Sequence, residues 1–404
     1  MKKNKYLFKI IAFLCLIICC FGCGADKNDS SIENEENIQE VESIESEESA
    51  EATDDIQTVA LTKTHEKAEE EIKQEVQEPE AISVTICFAG DINLAEEYGT
   101  TDLIDSSENG IFDCIDEEMI SVMKSADLMI LNNEFTYSDQ GAPLEGKAYT
   151  FRADPKRVDV LKQVGVDAVN LANNHVYDYG QVAMLDTFAT LEAAGIDYFG
   201  AGVNIERAMK PLYVDFDNLR VSFVSASRAE KIKMTPQATE DTPGILRCYD
   251  TALFDRAISE AKANSDICIA VVHWGTEYST ELEAVQIETA KEYVAAGADI
   301  IIGAHSHCLQ GLEFVDDAPV LYSLGNYWFN GKTLDTMLAS INISEKSPAS
   351  DEYDIDVQLI PGVQEDWHTR STYDSGEARR IFDDLEKISI GIEIDDDGWV
   401  RKSE

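Results

Sequence analysis

From residue 82 onward, short apolar runs rich in β-branched residues alternate with segments whose apolar positions recur at helical spacing. The runs "ISVTICFAGD" (82–91), "ADLMILNNEF" (126–135), "VDAVNLANNH" (166–175), "IDYFGAG" (196–202) and "VSFVSAS" (221–227) read as strands. So do "DICIAVVHWG" (266–275), "ADIIIGAHSH" (298–307), "APVLYSLGNYWF" (318–329) and "YDIDVQLIPGV" (353–363). Helices are expected over 155–165, 181–195, 251–264, 285–297 and 376–389. Strands that are apolar along their whole length, separated by helices, imply sheets covered on both faces, hence a layered α/β domain over 82–404. No internal repeat and no clear second domain interrupt it.

The first 80 residues have a different texture. Residues 1–23 open with lysines and continue as an apolar segment from about Tyr6 to Phe21, the pattern of an export signal. The run is short for a membrane-spanning helix, which needs roughly 17–25 residues. Its end, "CCFGC", is similar to the lipobox of bacterial lipoproteins, with Gly22 before a Cys23 that would be lipidated and Cys20 where leucine is usual. An uncleaved N-terminal anchor is the alternative, and both place the rest of the chain outside the cytoplasmic membrane. Residues 24–81 carry 20 acidic residues, 4 lysines and no aromatic residue, too little apolar surface to offset the entropy of ordering, so an acidic tether is expected.

Charge narrows the partners. Of the formal net charge of −46, −34 remains on residues 82–404, which repels nucleic acid and anionic lipid surfaces alike. The five cysteines there (Cys87, Cys114, Cys248, Cys268 and Cys308) are odd in number and widely spaced, which argues for isolated thiols rather than a disulfide scaffold.

Nearly every strand ends in a polar cluster: Asp91 and Asn93, Asn133 and Glu134, Asn173-Asn174-His175, His273, then His305 and His307. Four of the chain's six histidines fall at these ends. Singly, Asn and Asp at such places start turns and cap helices. Together they sit where α/β sheets bind ligands, beyond the carboxyl ends of the strands. Carboxylate, amide and imidazole groups suit a divalent cation such as Mn, Fe, Zn or Mg, and their number exceeds one tetrahedral site and suits two ions sharing a carboxylate. His175, with Asp178 three residues on, has the order of a proton donor held in one tautomer, although Asp178 could equally cap the following helix.

The motifs "FAGDINL", "ILNNEF", "VNLANNHVYDYG", "VVHWGTEY", "GADIIIGAHSHCLQGLE" and "VLYSLGNYWF" resemble, in order and spacing over roughly 82–345, the bacterial CapA family of capsule and poly-γ-glutamate synthesis proteins. That family is in turn similar to calcineurin-like metallophosphoesterases, which implies a four-layer α/β/β/α sandwich with a dinuclear metal site. The resemblance implies metal ligation by Asp91, Asn93, Glu134 (bridging), Asn174, His273, His305 and His307, the last two on an extended turn, and proton donation by His175. Asn93 stands where a histidine is usual, Ser306 where proline is, and "GDINLAEE" lacks the family's usual arginine. Lys147 and Arg152 in "GKAYTFRADP" are then the candidate substrate contacts. The implied activity is extracytoplasmic hydrolysis or transfer at a phosphate or amide bond of a surface polymer. The alternative is a non-catalytic, membrane-tethered factor that works with an anionic capsule polymer or its membrane synthase. A solute-binding surface lipoprotein would need none of the clustered imidazoles.

Overall fold

In the strand Ser83–Ile92, Val84, Ile86 and Phe88 enter one apolar cluster while Cys87 and Ala89 enter another. Side chains alternate across a strand, so this one is buried on both faces and belongs at the middle of a layered structure. The computed structural model describes residues 81–404 apart from 231–233, 349, 374–375 and 404; the leader with Cys23 and the tether up to Glu80 lie outside the described residues.

Ser83–Ile92 sits inside an eight-stranded mixed sheet ordered 368–371, 353–365, 334–345, 83–92, 128–133, 168–170, 197–199, with 326–328 also pairing with 83–92. Its neighbours run parallel on the 128–199 side and antiparallel on the 334–371 side. A second, six-stranded sheet is ordered 309–315, 318–324, 300–304, 267–273, 219–227, 212–216. The inner faces meet in one core: Phe223 of the second sheet lies 6.3 Å from Phe88 and 6.1 Å from Phe199 of the first, centroid to centroid. Helices Glu117–Ser125, Val158–Gln163 and Gly180–Ala194 cover the outer face of the first sheet through Met119, Leu161, Met184 and Leu191. Ala252–Lys262 and Ala284–Ala296 cover the second through Phe254, Ile258 and Tyr293. Helix Glu377–Ile388 adds Ile381, Phe382 and Leu385 to the inner core. The fold is an α/β/β/α sandwich, as the family resemblance implied.

Several elements depart from the sequence reading. "APVLYSLGNYWF" is two strands: Ala318–Leu324 in the second sheet and Asn326–Trp328 in the first. The chain changes sheets at Gly325, whose φ of 65° glycine adopts without strain. Gly90 faces this crossing so closely that a Cβ on it would stand 2.0 Å from Gly325 O, and Asp91 N donates to the same oxygen at 2.9 Å. The crossing therefore sets Asn326 directly beside Asp91, its register partner. The strand expected over 166–175 is confined to Ala168–Asn170, which frees 171–179 to form a loop. The helices Gly99–Ser106 and Glu117–Ser125 and the strands Leu212–Phe216, Leu309–Val315 and Leu334–Glu345 were not anticipated. All five cysteines of the domain are free thiols, four of them buried. Among the described residues no helix is long and apolar enough to cross a membrane.

Candidate metal centre

Both sheets contribute strand ends to one buried cluster. Asn132, at the end of Leu128–Asn133, is its hub. Its Nδ2 donates to Asp91 Oδ1 at 2.7 Å, and its Oδ1 accepts from Asn170 Nδ2 at 2.9 Å and Asn173 Nδ2 at 3.2 Å. Asn173 Oδ1 in turn accepts the backbone N–H of His175 and of Val176, each at 3.0 Å, which folds the 173–176 turn over the strand ends. A buried amide with every group engaged is rigid as well as satisfied, so this network fixes where Asp91, Asn174 and His175 point.

Two groups of ligand-type atoms result. Glu134, His273 and His305 form one; Asp91, Glu134 and His307 form the other, and Glu134 belongs to both. His273 Nε2 lies 3.4 Å from Glu134 Oε1 and 2.7 Å from Asn174 Oδ1, so the amide of Asn174 joins the first group. His307 Nδ1 lies 3.1 Å from Asp91 Oδ2 and 2.8 Å from Asn326 Oδ1, so Asn326 joins the second. Asp91 Oδ2, Glu134 Oε1 and His305 Nδ1 are buried without a well-formed hydrogen bond. Orphaned oxygen and nitrogen acceptors converging on one place are what a divalent cation requires, and the donor set fits one.

The electrostatics agree. Burial and the neighbouring Glu134 charge push the Asp91 carboxyl up. Burial acts in the same sense on Glu134, but the His307, His273 and His175 imidazoles outweigh it and hold that carboxyl below the usual carboxylate range. His305 is driven well below its ordinary value by burial and by the His273 and His307 rings, which leaves it a neutral donor. For His307, burial opposes the charge, yet Glu134 and Asp91 prevail and push it up to about 9.

The "GAHSH" loop is not the extended turn expected from sequence. His305 and His307 have φ of 94° and 55°, conformations that side chains other than glycine adopt at a cost of order 1–3 kcal/mol each. Fixed backbone bonds hold them there: Trp274 N to Ala304 O at 3.0 Å and Tyr278 N to Ser306 O at 2.6 Å. Their rings stand 6.0 Å apart, and His305 is 4.6 Å from His273. The intervening Ser306 is buried and bonds Cys308 O at 2.7 Å.

His175 stands at the rim. Its Nδ1 is 2.6 Å from Asp178 Oδ2 and its Nε2 is 4.0 Å from Glu134 Oε1. Asp178 also accepts the Phe151 N–H at 2.7 Å and ion-pairs with Lys147 at 2.7 Å. Helix Gly180–Ala194 begins without a side-chain cap, so Asp178 orients His175 instead of capping. Phe151 packs on the imidazole at 4.6 Å.

Three sequence-derived assignments need correction. Asn93 Oδ1 accepts the Ala95 N–H at 2.8 Å, a local turn bond, and it is Asn326 that supplies the amide beside Asp91 and His307. Lys147 is buried between Asp178 and Glu230, 3.0 Å from the latter, and also donates to Asn174 O, so it holds the site together and is not a free substrate contact. Arg152 is spent on Gln140 O and Gly141 O and stacks on Tyr179 at 4.3 Å. Asn132, Asn170 and Asn326 escaped sequence reading; the Gly-Asn step after an apolar run was the available signal for the last.

Comparison with known proteins gives the chain a family. Residues 85–331 match the family described as bacterial capsule synthesis protein PGA_cap. The chain is 34% identical over 207 residues to the capsule biosynthesis protein CapA of Bacillus anthracis, covering 49% of each chain. It is 32% identical over 202 residues to the PGA biosynthesis protein CapA of Bacillus subtilis, covering 49% of this chain and 53% of that one. The chain thus spans about half the length of the curated relatives it matches. Among solved structures, a putative 5′-nucleotidase from Staphylococcus aureus aligns over 75% of this chain and 58% of its own, with a TM-score of 0.45 and 18% identity. A phosphatase from Mycoplasma pneumoniae aligns over 71% of this chain and 96% of its own, with a TM-score of 0.43 and 13% identity. With its matched region covering more than half of the sequence, the chain belongs to the bacterial capsule synthesis protein (PGA_cap) family.

Proposed function

We propose that the protein is a hydrolase or transferase that uses two divalent metal ions and acts on an amide or phosphate bond in the synthesis or export of a capsule polymer such as poly-γ-glutamate, on the outer face of the cytoplasmic membrane. The observation that carries this is the sharing of Glu134 by two ligand groups, with the Asp178-held His175 at their rim. Asp91, Glu134, Asn174, His273, His305, His307 and Asn326 would hold the ions, which supply Lewis-acid polarisation of the scissile group. Asp178 fixes the proton on His175 Nδ1, which leaves Nε2 to deliver a second proton to the departing group. Phe151 and Phe329, 5.5 Å apart and packed on His175 and His307, restrict water on that side. The relatives' names support the capsule setting, and the lysine-led apolar leader with its acidic tether supports the location.

The test is to purify the protein, count bound metal, and assay γ-linked glutamyl peptides and phenyl phosphate with Mn²⁺, Zn²⁺ or Mg²⁺ added. Bound metal and metal-dependent cleavage of one substrate class are expected. Failure to bind any ion at micromolar excess would count decisively against the reading. A non-catalytic assembly role would instead show as capsule loss on gene deletion with full rescue by the His175→Ala protein.

A pH dependence follows from His307. An imidazole must be neutral to ligate, and this one holds its proton up to about pH 9. The proton competes with the cation, so metal affinity should rise by up to roughly tenfold per pH unit from about pH 7 to 9 and then level off. Burial opposes the proton, and the carboxylates of Glu134, Asp91 and Glu277 together outweigh it. Titration calorimetry at pH 7.5 in buffers of different ionisation enthalpy should report about one proton released per chain. Zero release would show that His307 does not ligate.

A further inference from the structure

Arg228 follows the strand Leu219–Ser227, and its backbone N–H is fixed on His273 O at 2.9 Å, so the side chain leaves the sheet beside the candidate centre. Its guanidinium lies over the Tyr249 ring, 4.7 Å from the centroid, and among the described residues no carboxylate comes within ion-pair distance. It lines a recess of about 290 Å³ whose walls include Glu230, Thr276, Glu277, Glu283 and His305, and Glu230 is already engaged by Lys147 at 3.0 Å and by the Thr235 N–H at 2.6 Å. Glu283 is committed: it accepts the Thr276 hydroxyl at 2.7 Å and caps helix Ala284–Ala296. Glu277 is exposed and, among the described residues, has neither hydrogen bond nor ion pair. One free cation and one free carboxylate therefore face the same recess without pairing with each other.

We infer that this recess is a subsite for a carboxylate borne next to an amine or amide N–H, with Arg228 taking the carboxylate and Glu277 the N–H. The inference rests on the proposed reading of the neighbouring centre as one that acts on a substrate, and it selects the amide alternative over the phosphate. A planar guanidinium matches a carboxylate with two parallel hydrogen bonds. A phosphate dianion would bring twice the charge of a carboxylate against Glu230, Glu277 and Glu283, with the same single guanidinium to offset it. The volume, at the lower end of the roughly 300–1,000 Å³ of small-molecule pockets, suits one amino-acid-sized group. His305 on the wall places that group beside the metal ligands, so Arg228 would set which residue of a polymer reaches them.

The experiment uses the full chain stripped of metal with a chelator, so that no turnover enters the reading. Tri-γ-glutamate and the same peptide with its α-carboxylates amidated are titrated into wild type, Arg228→Gln and Arg228→Lys. Expected is a loss of about tenfold or more for the free peptide in Arg228→Gln and a smaller loss in Arg228→Lys. The amidated peptide should bind wild type about tenfold or more weakly than the free peptide does, a comparison made on wild type alone that holds even if a variant fails to fold. Equal binding of free and amidated peptides to wild type, no binding at millimolar peptide, or displacement by inorganic phosphate at lower concentration than by glutamate would overturn the inference. Loss of the hydrolase reading leaves these binding results intact. A cleaving enzyme whose KM is unchanged in Arg228→Gln would remove the subsite alone.

Discussion

Glu134→Gln should empty both metal groups in one step. Mass spectrometry of the purified protein is expected to count about two divalent ions per wild-type chain and fewer than about one in the variant. Cleavage should fall by roughly 10³-fold or more, since metal polarisation of a scissile group is worth several kcal/mol. Glu134 is the only carboxylate common to the two groups, and it is fully buried with Oε1 free of any well-formed hydrogen bond. Gln has the same shape, so the packing around it survives while the bridging charge is gone. Asp91→Asn touches one group only and should leave the Glu134, His273 and His305 set able to bind. Chelation should lower the melting temperature of wild type, because a ligand bound only to the folded state stabilises it by mass action. The variant should melt at one temperature with or without chelator. Two ions retained in Glu134→Gln would refute the shared-carboxylate arrangement.

The strand-end rule picks out most residues of the candidate centre from the sequence alone. Asp91, Glu134, Asn174, His273, His305 and His307 all lie just at or past the carboxyl end of an apolar run, and parallel strands deliver their ends to one edge. What could not be read depends on contacts between distant segments. Asn326 lies inside a run that looks like one strand, and only the crossing at Gly325, packed against Gly90, turns it towards Asp91. Asn132 looks like a strand residue among others; it becomes the hub because Asp91, Asn170 and Asn173 reach it from three segments. Lys147 looks like surface charge because its partners lie 31 and 83 positions away, at Asp178 and Glu230. Asn93 misleads in the opposite direction: a polar residue after a strand more often closes a local turn than it binds a ligand, and here it bonds Ala95. The strand Leu334–Glu345 was legible in principle, since its second half, "ASINIS", alternates strictly between apolar and polar residues.

His175→Ala should separate proton donation from metal binding. The ring makes no ligand pair of its own: Nδ1 is taken by Asp178, and Nε2 stops 4.0 Å from Glu134 Oε1. Metal content is therefore expected to stay at the wild-type count while kcat on a glutamyl peptide falls by about 10²–10⁴, the usual worth of a positioned general acid. The loss must depend on the leaving group. An amine or alkoxide cannot depart without a proton, so the full loss appears there; p-nitrophenolate departs unaided, and p-nitrophenyl phosphate or its ester analogues should lose tenfold at most. Asp178→Asn should show the same dependence in weaker form, because the amide still reaches Nδ1 but no longer stabilises a charged imidazole, and Lys147 keeps only Glu230 as its ionic partner. A uniform loss across leaving groups would assign His175 to holding the cluster together rather than to moving a proton. A loss of metal alongside activity would make it a ligand, and the two ligand groups would then have to be redrawn around it.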